Sequence, residues 1–321
     1  MQYKNMEFKN IYKLKNESNE VKLLGPNNGF LKTMEDLFKY PIIISKSTVS
    51  IPEDCDEKEV ICLFETMEEI LATSYNLNMI DIVNIIQSIK NDTINDLKKV
   101  YLKKEVICVL SNGKAVFPKT INQAIYLSAM NKNEIIFGIG PAGTGKTYLA
   151  VLYASNLLKR QQIKKIVLVR PVVEAGEKLG FLPGDLKEKI DPYLIPLYDC
   201  LEDCFGKEHL AKMMEKGIIE VAPLAYMRGR TLDNACIILD EAQNTTLMQM
   251  KMFLTRLGFN SKMFITGDIS QIDLVNKKDS GLIEASKILN DIDGIKFVYF
   301  TKEDVMRNPL VYKIIEKYEA K

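Results

Sequence analysis

From about residue 131 the chain alternates short apolar runs with longer stretches of helical spacing. The runs are Ile135 to Ile139, Lys165 to Val169, Ile218 to Val221, Cys236 to Leu239, Met263 to Thr266 and Ile295 to Phe300. They are rich in Val, Ile, Leu and Phe with little polar interruption, the pattern of strands buried on both faces. Strands alternating with helices predict a mostly parallel sheet with helices on both sides, an α/β core. Such sheets bind ligands beyond the carboxyl ends of their strands, so the residues following each run carry the candidate chemistry.

The first hundred or so residues pattern differently. Val21 to Leu24 and Pro41 to Ile44 read as short strands, and a turn rich in Gly, Pro and Asn spans 24 to 29. Helical spacing runs through Val60 to Thr73, with Ile61, Phe64, Ile70 and Leu71 on one face. It runs again through 75 to 92, with Leu77, Ile80, Ile82, Val83 and Ile86, before a Lys/Asp-rich stretch at 91 to 104. A small α+β module over 1–110, preceding the α/β domain over 111–321, is the expected organisation.

Composition narrows the classes of function. Lys and Arg total 43 against 42 Asp and Glu, so a polyanion would have to meet a local patch rather than the whole surface. The one histidine, His209, leaves zinc fingers and zincin helices without ligands and makes a catalytic triad improbable. Six cysteines without a C-x-x-C pair read as reduced core residues of a cytoplasmic protein. No run of about 18 apolar residues suggests membrane insertion, and the first residues do not resemble a secretory leader.

The strongest local signal follows the run ending at Ile139. Gly140-Pro141-Ala142-Gly143-Thr144-Gly145-Lys146-Thr147 is a full match to GxxxxGK(S/T), and Tyr148 opens a helical stretch behind it. Glycines let backbone N–H groups wrap phosphates, Lys146 reaches the β- and γ-phosphates of ATP, and Thr147 ligates Mg²⁺. Nearly a hundred residues later, Ala235 to Leu239 ends in Asp240 and Glu241, the Walker B arrangement. Asp240 is assigned to the metal and Glu241 to the attacking water.

Three further segments bear on the nucleotide. Asn276-Lys277-Lys278-Asp279 fits the guanine-reading NKxD pattern but follows no apolar strand end, and reads as a solvated loop. Gln123 stands about 17 residues before the loop, where helicase-like ATPases place an adenine reader, and its amide both donates and accepts. Beyond the run ending at Thr266, Asp268 and Gln271 are placed to sense the γ-phosphate, in a pattern resembling motif III of superfamily 1 helicases.

Longer segments carry a family resemblance. Val169 to Asp185 (VRPVVEAGEKLGFLPGD), Ala225 to Thr231 (AYMRGRT), Leu239 to Asn244 (LDEAQN) and Phe253 to Gly258 (FLTRLG) closely resemble the PhoH-like ATPase family, with Phe300 to Val311 echoing its ending. Coverage runs from about 115 to 320. The resemblance implies a single RecA-like P-loop NTPase core that hydrolyses ATP with Mg²⁺, related to helicase motors and linked to RNA metabolism. It also implies that the small α+β (KH-like) module is of an RNA-binding type. Two positions depart from the family: Asn308 stands where His is usual, and Leu274-Val275-Asn276 replaces Leu-Pro-Arg.

Helicases of superfamilies 1 and 2 close ATP between two motor cores, but about 200 residues hold only one. A homo-oligomer such as a hexameric ring is therefore expected, with an arginine from a neighbour completing the site. Arg307 is the first candidate, followed by Arg228, Arg230 and Arg256; Arg170 and Lys178 are candidate contacts to RNA phosphates. Two other readings stay open. One is a nucleotide-gated adaptor for a ribonuclease or ribosome-maturation partner, and the other a P-loop kinase of a small molecule.

Overall fold

The computed structural model describes residues 6–171, 186–306 and 317. Of these, one unit holds the residues up to Lys104 together with Lys119–Ile121, and the other holds Glu105–Pro118 and Asn122–Met306.

The first unit runs β1 (Phe8–Lys13), α1 (Glu20–Leu24), α2 (Gly29–Phe38), β2 (Ile43–Ser45), β3 (Thr48–Pro52), α3 (Lys58–Ala72), α4 (Met79–Lys90) and α5 (Ile94–Lys103). Its antiparallel sheet has the order β1-β3-β2. The strand expected at Val21 to Leu24 is instead the helix α1. Three apolar residues in a run of four are too few to declare a period: Leu23 is fully buried while Val21 is 77% exposed. Gly25 then ends the helix with its N–H on Val21 O at 3.2 Å. The Lys/Asp-rich stretch at 91 to 104 contains α5, which buries Leu97 and Tyr101, four apart, and turns its lysines outward. Neither β1 nor β3 was expected from the pattern.

A charged centre lies inside this unit. Asp81 has no exposed surface. It accepts from Asn78 N at 2.9 Å, closing the α4 capping box, and from Tyr101 Oη and Lys119 Nζ, both at 2.8 Å. The Lys119 ammonium also sits 4.5 Å from the centre of the Tyr75 ring.

The second unit begins with a two-stranded ribbon, β4 (Cys108–Val109) and β5 (Ala115–Val116), then α6 (Ile121–Lys132). After it come β6 (Ile135–Ile139), α7 (Lys146–Lys159), β7 (Lys165–Arg170), α8 (Leu186–Phe205), α9 (Lys207–Glu215) and β8 (Ile219–Pro223). The chain continues with β9 (Ala235–Leu239), α10 (Leu247–Leu254), β10 (Lys262–Gly267), α11 (Gly281–Ile288) and β11 (Ile295–Tyr299). Strands β6 to β11 form one sheet in the order β11-β6-β10-β9-β7-β8, every pair parallel. This is the α/β class that the alternating runs predicted, with the parallel sheet of the RecA-like P-loop core that the resemblance implied.

Period-two burial divides the core between the two faces. Ile136, Ile166, Leu168, Ile238 and Phe264 join the cluster that includes α7 and α8 residues. Their neighbours Ile135, Phe137, Val167, Ile237 and Ile265 join the cluster that includes α10 and α11 residues. Burying each such side chain contributes about 1.5–3 kcal/mol, which holds the central strands rigid where the loops leave them. Because β6 has β11 on one side and β10 on the other, the chain order reverses there, opening a crevice at its carboxyl end.

Candidate functional site

Gly140 to Gly145 leave β6 and lead into α7. Gly140 has φ 152°, and a Cβ there would lie 2.5 Å from Phe300 O, so only glycine lets the loop pass β11 this closely. Gly145 caps α7 in the left-handed region at φ 82°. Thr144 Oγ1 donates to Pro141 O at 3.0 Å, and Ala142 N donates to Asp268 Oδ2 at 3.1 Å, pinning the loop to the end of β10.

Lys146 is buried, and its Nζ donates to Gly140 O and Pro141 O, both at 2.7 Å. Burial pushes this ammonium below the ordinary lysine value, while the carboxylates of Asp268, Asp240 and Glu241 push it back up. Thr147 Oγ1 donates to Asp240 Oδ1 at 2.6 Å, joining α7 to the tip of β9. Thr266 of β10 donates to the same oxygen at 2.9 Å and lies 3.1 Å from Thr147 Oγ1. The strand between β6 and β9 thus adds a hydroxyl to the pair that sequence assigned to the metal.

Glu241 follows in the left-handed region at φ 53°, unusual for a side chain of its size. Its Oε1 is 3.0 Å from Arg170 Nη2, at the end of neighbouring β7, and its Oε2 accepts from Gln243 Nε2 at 2.5 Å. Gln243 is 1% exposed. Its amide also donates to Gln271 O at 3.1 Å and accepts from Asp268 N at 3.0 Å, tying the end of β9 to the end of β10. A cleft of about 300 Å³ is walled by Ala142, Gly143, Gly145 to Tyr148, Arg170, Asp240, Glu241, Gly267, Asp268 and Gln271. Pro196, Leu197 and Cys200 of α8 close one side with apolar surface.

Other expected residues fall elsewhere. Gln123 is buried, with Nε2 donating to Thr144 O at 3.0 Å and lying 3.0 Å from Met306 Sδ; it braces the loop and is not among the residues lining the cleft. Asn276 to Asp279 form an exposed turn in which Asn276 caps Lys278 N at 3.3 Å, also outside the cleft. Arg230 holds Glu220 through two bonds of 2.6 and 2.9 Å, and Arg256 donates to Met252 O and Arg230 O at 2.9 and 2.8 Å. Both guanidiniums are thus engaged within the chain, whereas Arg228 is exposed. Arg307, Asn308 and Lys178 lie outside the described residues. His209 is exposed beside Phe205, and all six cysteines are free thiols, but only Cys108, Cys204 and Cys236 are core residues, Cys55, Cys62 and Cys200 being half-buried. No helix among the described residues is long and apolar enough to cross a membrane.

Sequence reasoning gave no role to Thr266 or Gln243 and did not pair Arg170 with Glu241. Gln243 stands inside the LDEAQN segment, the one local signal that pointed to it; the other two are contacts between strands distant in sequence.

A family model described as PhoH-like protein matches residues 115–319. The chain is 50% identical over 308 residues to the PhoH-like protein of Bacillus subtilis (strain 168), an alignment spanning 96% of each. It is 60% identical over 206 residues to the PhoH-like protein of Mycobacterium bovis, 64% of this chain and 58% of that one. With Protein PhoH of Escherichia coli (strain K12) it shares 44% over 198 residues, 61% and 56% of the two chains. Among solved structures, the Sulfolobus solfataricus SWI2/SNF2 ATPase core in complex with dsDNA is similar at 13% identity and a TM-score of 0.32, covering 56% of this chain and 43% of that one. That likeness is too slight to add to the sheet order already described.

Proposed function

The chain belongs to the PhoH-like protein family, and from that premise we propose that it is a Mg²⁺-dependent ATPase that couples hydrolysis to binding or remodelling RNA. The observation that carries this reading is the 2.6 Å bond from Thr147 to Asp240, which brings the phosphate loop and the acid of β9 to one point of the cleft. Thr147, Thr266 and Asp240 offer only oxygen donors there, which suits a hard cation that enters with phosphates. Thr147 and Asp240 would hold the metal, which when bound neutralises charge on the β- and γ-phosphates.

The chain's own groups divide the remaining work. Loop N–H groups at the start of α7 bind phosphate oxygens, and Lys146 exchanges the carbonyls of Gly140 and Pro141 for them. Glu241 orients the attacking water, with Asp268 and Gln271 reporting on the γ-phosphate. Tyr148, Pro196 and Leu197 exclude water from one wall of the cleft. An arginine from a second copy, Arg307 or the exposed Arg228, completes the site in a ring-shaped homo-oligomer. We place this activity in the cytoplasm, on single-stranded or ribosomal RNA.

Steady-state ATP hydrolysis with Mg²⁺, with and without single-stranded RNA and alongside Glu241→Gln, tests the reading. RNA-stimulated turnover that the variant abolishes supports it. A second reading, a nucleotide-gated adaptor for a ribonuclease, is favoured by one observation: Lys146 and Glu241 are both held by protein groups. Tight ATP binding without RNA-dependent turnover would select it.

A further inference from the structure

Both oxygens of Glu241 already hold donors, the guanidinium of Arg170 on one and the Gln243 amide on the other. A carboxylate that orients a water needs a lone pair aimed at that water, and a charged donor is the stronger competitor for it. Arg170 reaches this position because β7 is paired directly with β9, Val169 facing Leu239 and Asp240 N donating to Val169 O at 2.9 Å. The left-handed backbone at Glu241, a costly conformation for this residue, belongs to the same arrangement.

Resting on the ATPase reading, we propose that Arg170 is a positioning residue that latches Glu241 away from the attacking water, and that phosphates of single-stranded RNA release it by taking the guanidinium. Arg170 lines the open cleft and its side chain is 21% exposed, so an anion can reach it from solvent. A guanidinium accepts phosphate oxygens in the same forked geometry it offers a carboxylate, so the exchange replaces one charge-assisted contact with another. Gln243, 1% exposed and bonded to Asp268 N and Gln271 O, keeps the end of β9 in place throughout. The carboxylate, still held by the Gln243 amide at Oε2, then offers Oε1 to the γ-phosphate side of the cleft.

The test compares wild type, Arg170→Gln and Arg170→Lys in full-length protein, with oligo(U) as the probe. Arg170→Gln should raise basal kcat about five- to tenfold at unchanged KM for ATP and reduce RNA stimulation to near one. Arg170→Lys, which keeps the charge, should retain a low basal rate. A fall in kcat, or no change in basal rate and stimulation, would overturn the proposal. Amide hydrogen exchange of residues 240–244 supplies a second readout that needs no turnover. Exchange should speed up in Arg170→Gln, and in wild type on adding oligo(U); equal protection in all states overturns the latch. Absence of hydrolysis in every variant, with the exchange difference present, would sink the ATPase reading and leave the latch standing.

Discussion

Replacing Thr266 with valine removes one hydroxyl from the centre of the site and little else. The side chain has no exposed surface and valine fills nearly the same volume, so the change is confined to the contacts of the hydroxyl, chiefly the bond of 2.9 Å to Asp240 Oδ1, beside 3.1 Å to Thr147 Oγ1 and 3.4 Å to Leu239 O. A hydrogen bond to a charged acceptor contributes about 1.5–3 kcal/mol. Thr147 still donates to the same oxygen at 2.6 Å, which places the loss at the lower end. About 1.5 kcal/mol corresponds to about tenfold in an equilibrium constant. Asp240 then holds its orientation less well, and the half-saturating Mg²⁺ concentration for ATP turnover should rise about tenfold, while Thr266→Ser stays near wild type. The assay is a Mg²⁺ titration at fixed ATP, with melting by circular dichroism to show that the variant is folded. A folded Thr266→Val protein whose Mg²⁺ half-point stays within about twofold of wild type would refute the reasoning.

Three other predictions concern the stability of the two units. Arg230, aided by Lys165, holds the Glu220 carboxyl at about 2, below its ordinary value of 4.5, so the stability it contributes is present above pH 4.5 and lost as pH falls toward 2. Arg230→Ala should cost about 1–3 kcal/mol at neutral pH and flatten that acid slope, read from urea unfolding at pH 7 and pH 3. Lys119→Met leaves the wholly buried Asp81 without its cation and should cost about 3–5 kcal/mol, with Asp81→Asn in the same chain recovering at least half; thermal melting decides, and no recovery would point to lost packing instead. Gly140→Ala drives a Cβ to within 2.5 Å of Phe300 O, a backbone atom, and should destabilise by about 1–3 kcal/mol and weaken ATP retention. Wild-type melting and binding in that variant would contradict the described path of the loop.

The six strands of the parallel sheet could be read from the chain because neighbours such as Ile237 and Ile238 are buried on opposite faces, so their apolar character is uninterrupted. Strand β1 was missed for the opposite reason: FKNIYK lies on a half-exposed edge and carries polar residues. Helix α1 was misread because one buried leucine in five residues has no period. Phosphate-loop residues were readable because their chemistry is contiguous. Thr266, Gln243 and Arg170 act through contacts spanning 26, 28 and 71 positions, and no local pattern announces a partner that far away. Arginine side chains illustrate the same limit, since Arg230 and Arg256 look identical in sequence to a free guanidinium until Glu220 and the carbonyls they hold are placed beside them.

The chain leaves the first unit at Lys104, returns to it for Lys119, Thr120 and Ile121, and leaves again. Those three residues lie within the span matched by the family model, which begins at 115. Gene fusion or exchange through a single crossover therefore has no clean seam. A breakpoint before 119 would strand Asp81 without its ammonium, and one after 121 would carry β4 and β5 off with the wrong half. Such a layout favours inheritance of the two units as one piece, and any attempt to graft a different amino-terminal unit ahead of residue 119 has to bring its own counterpart of Asp81.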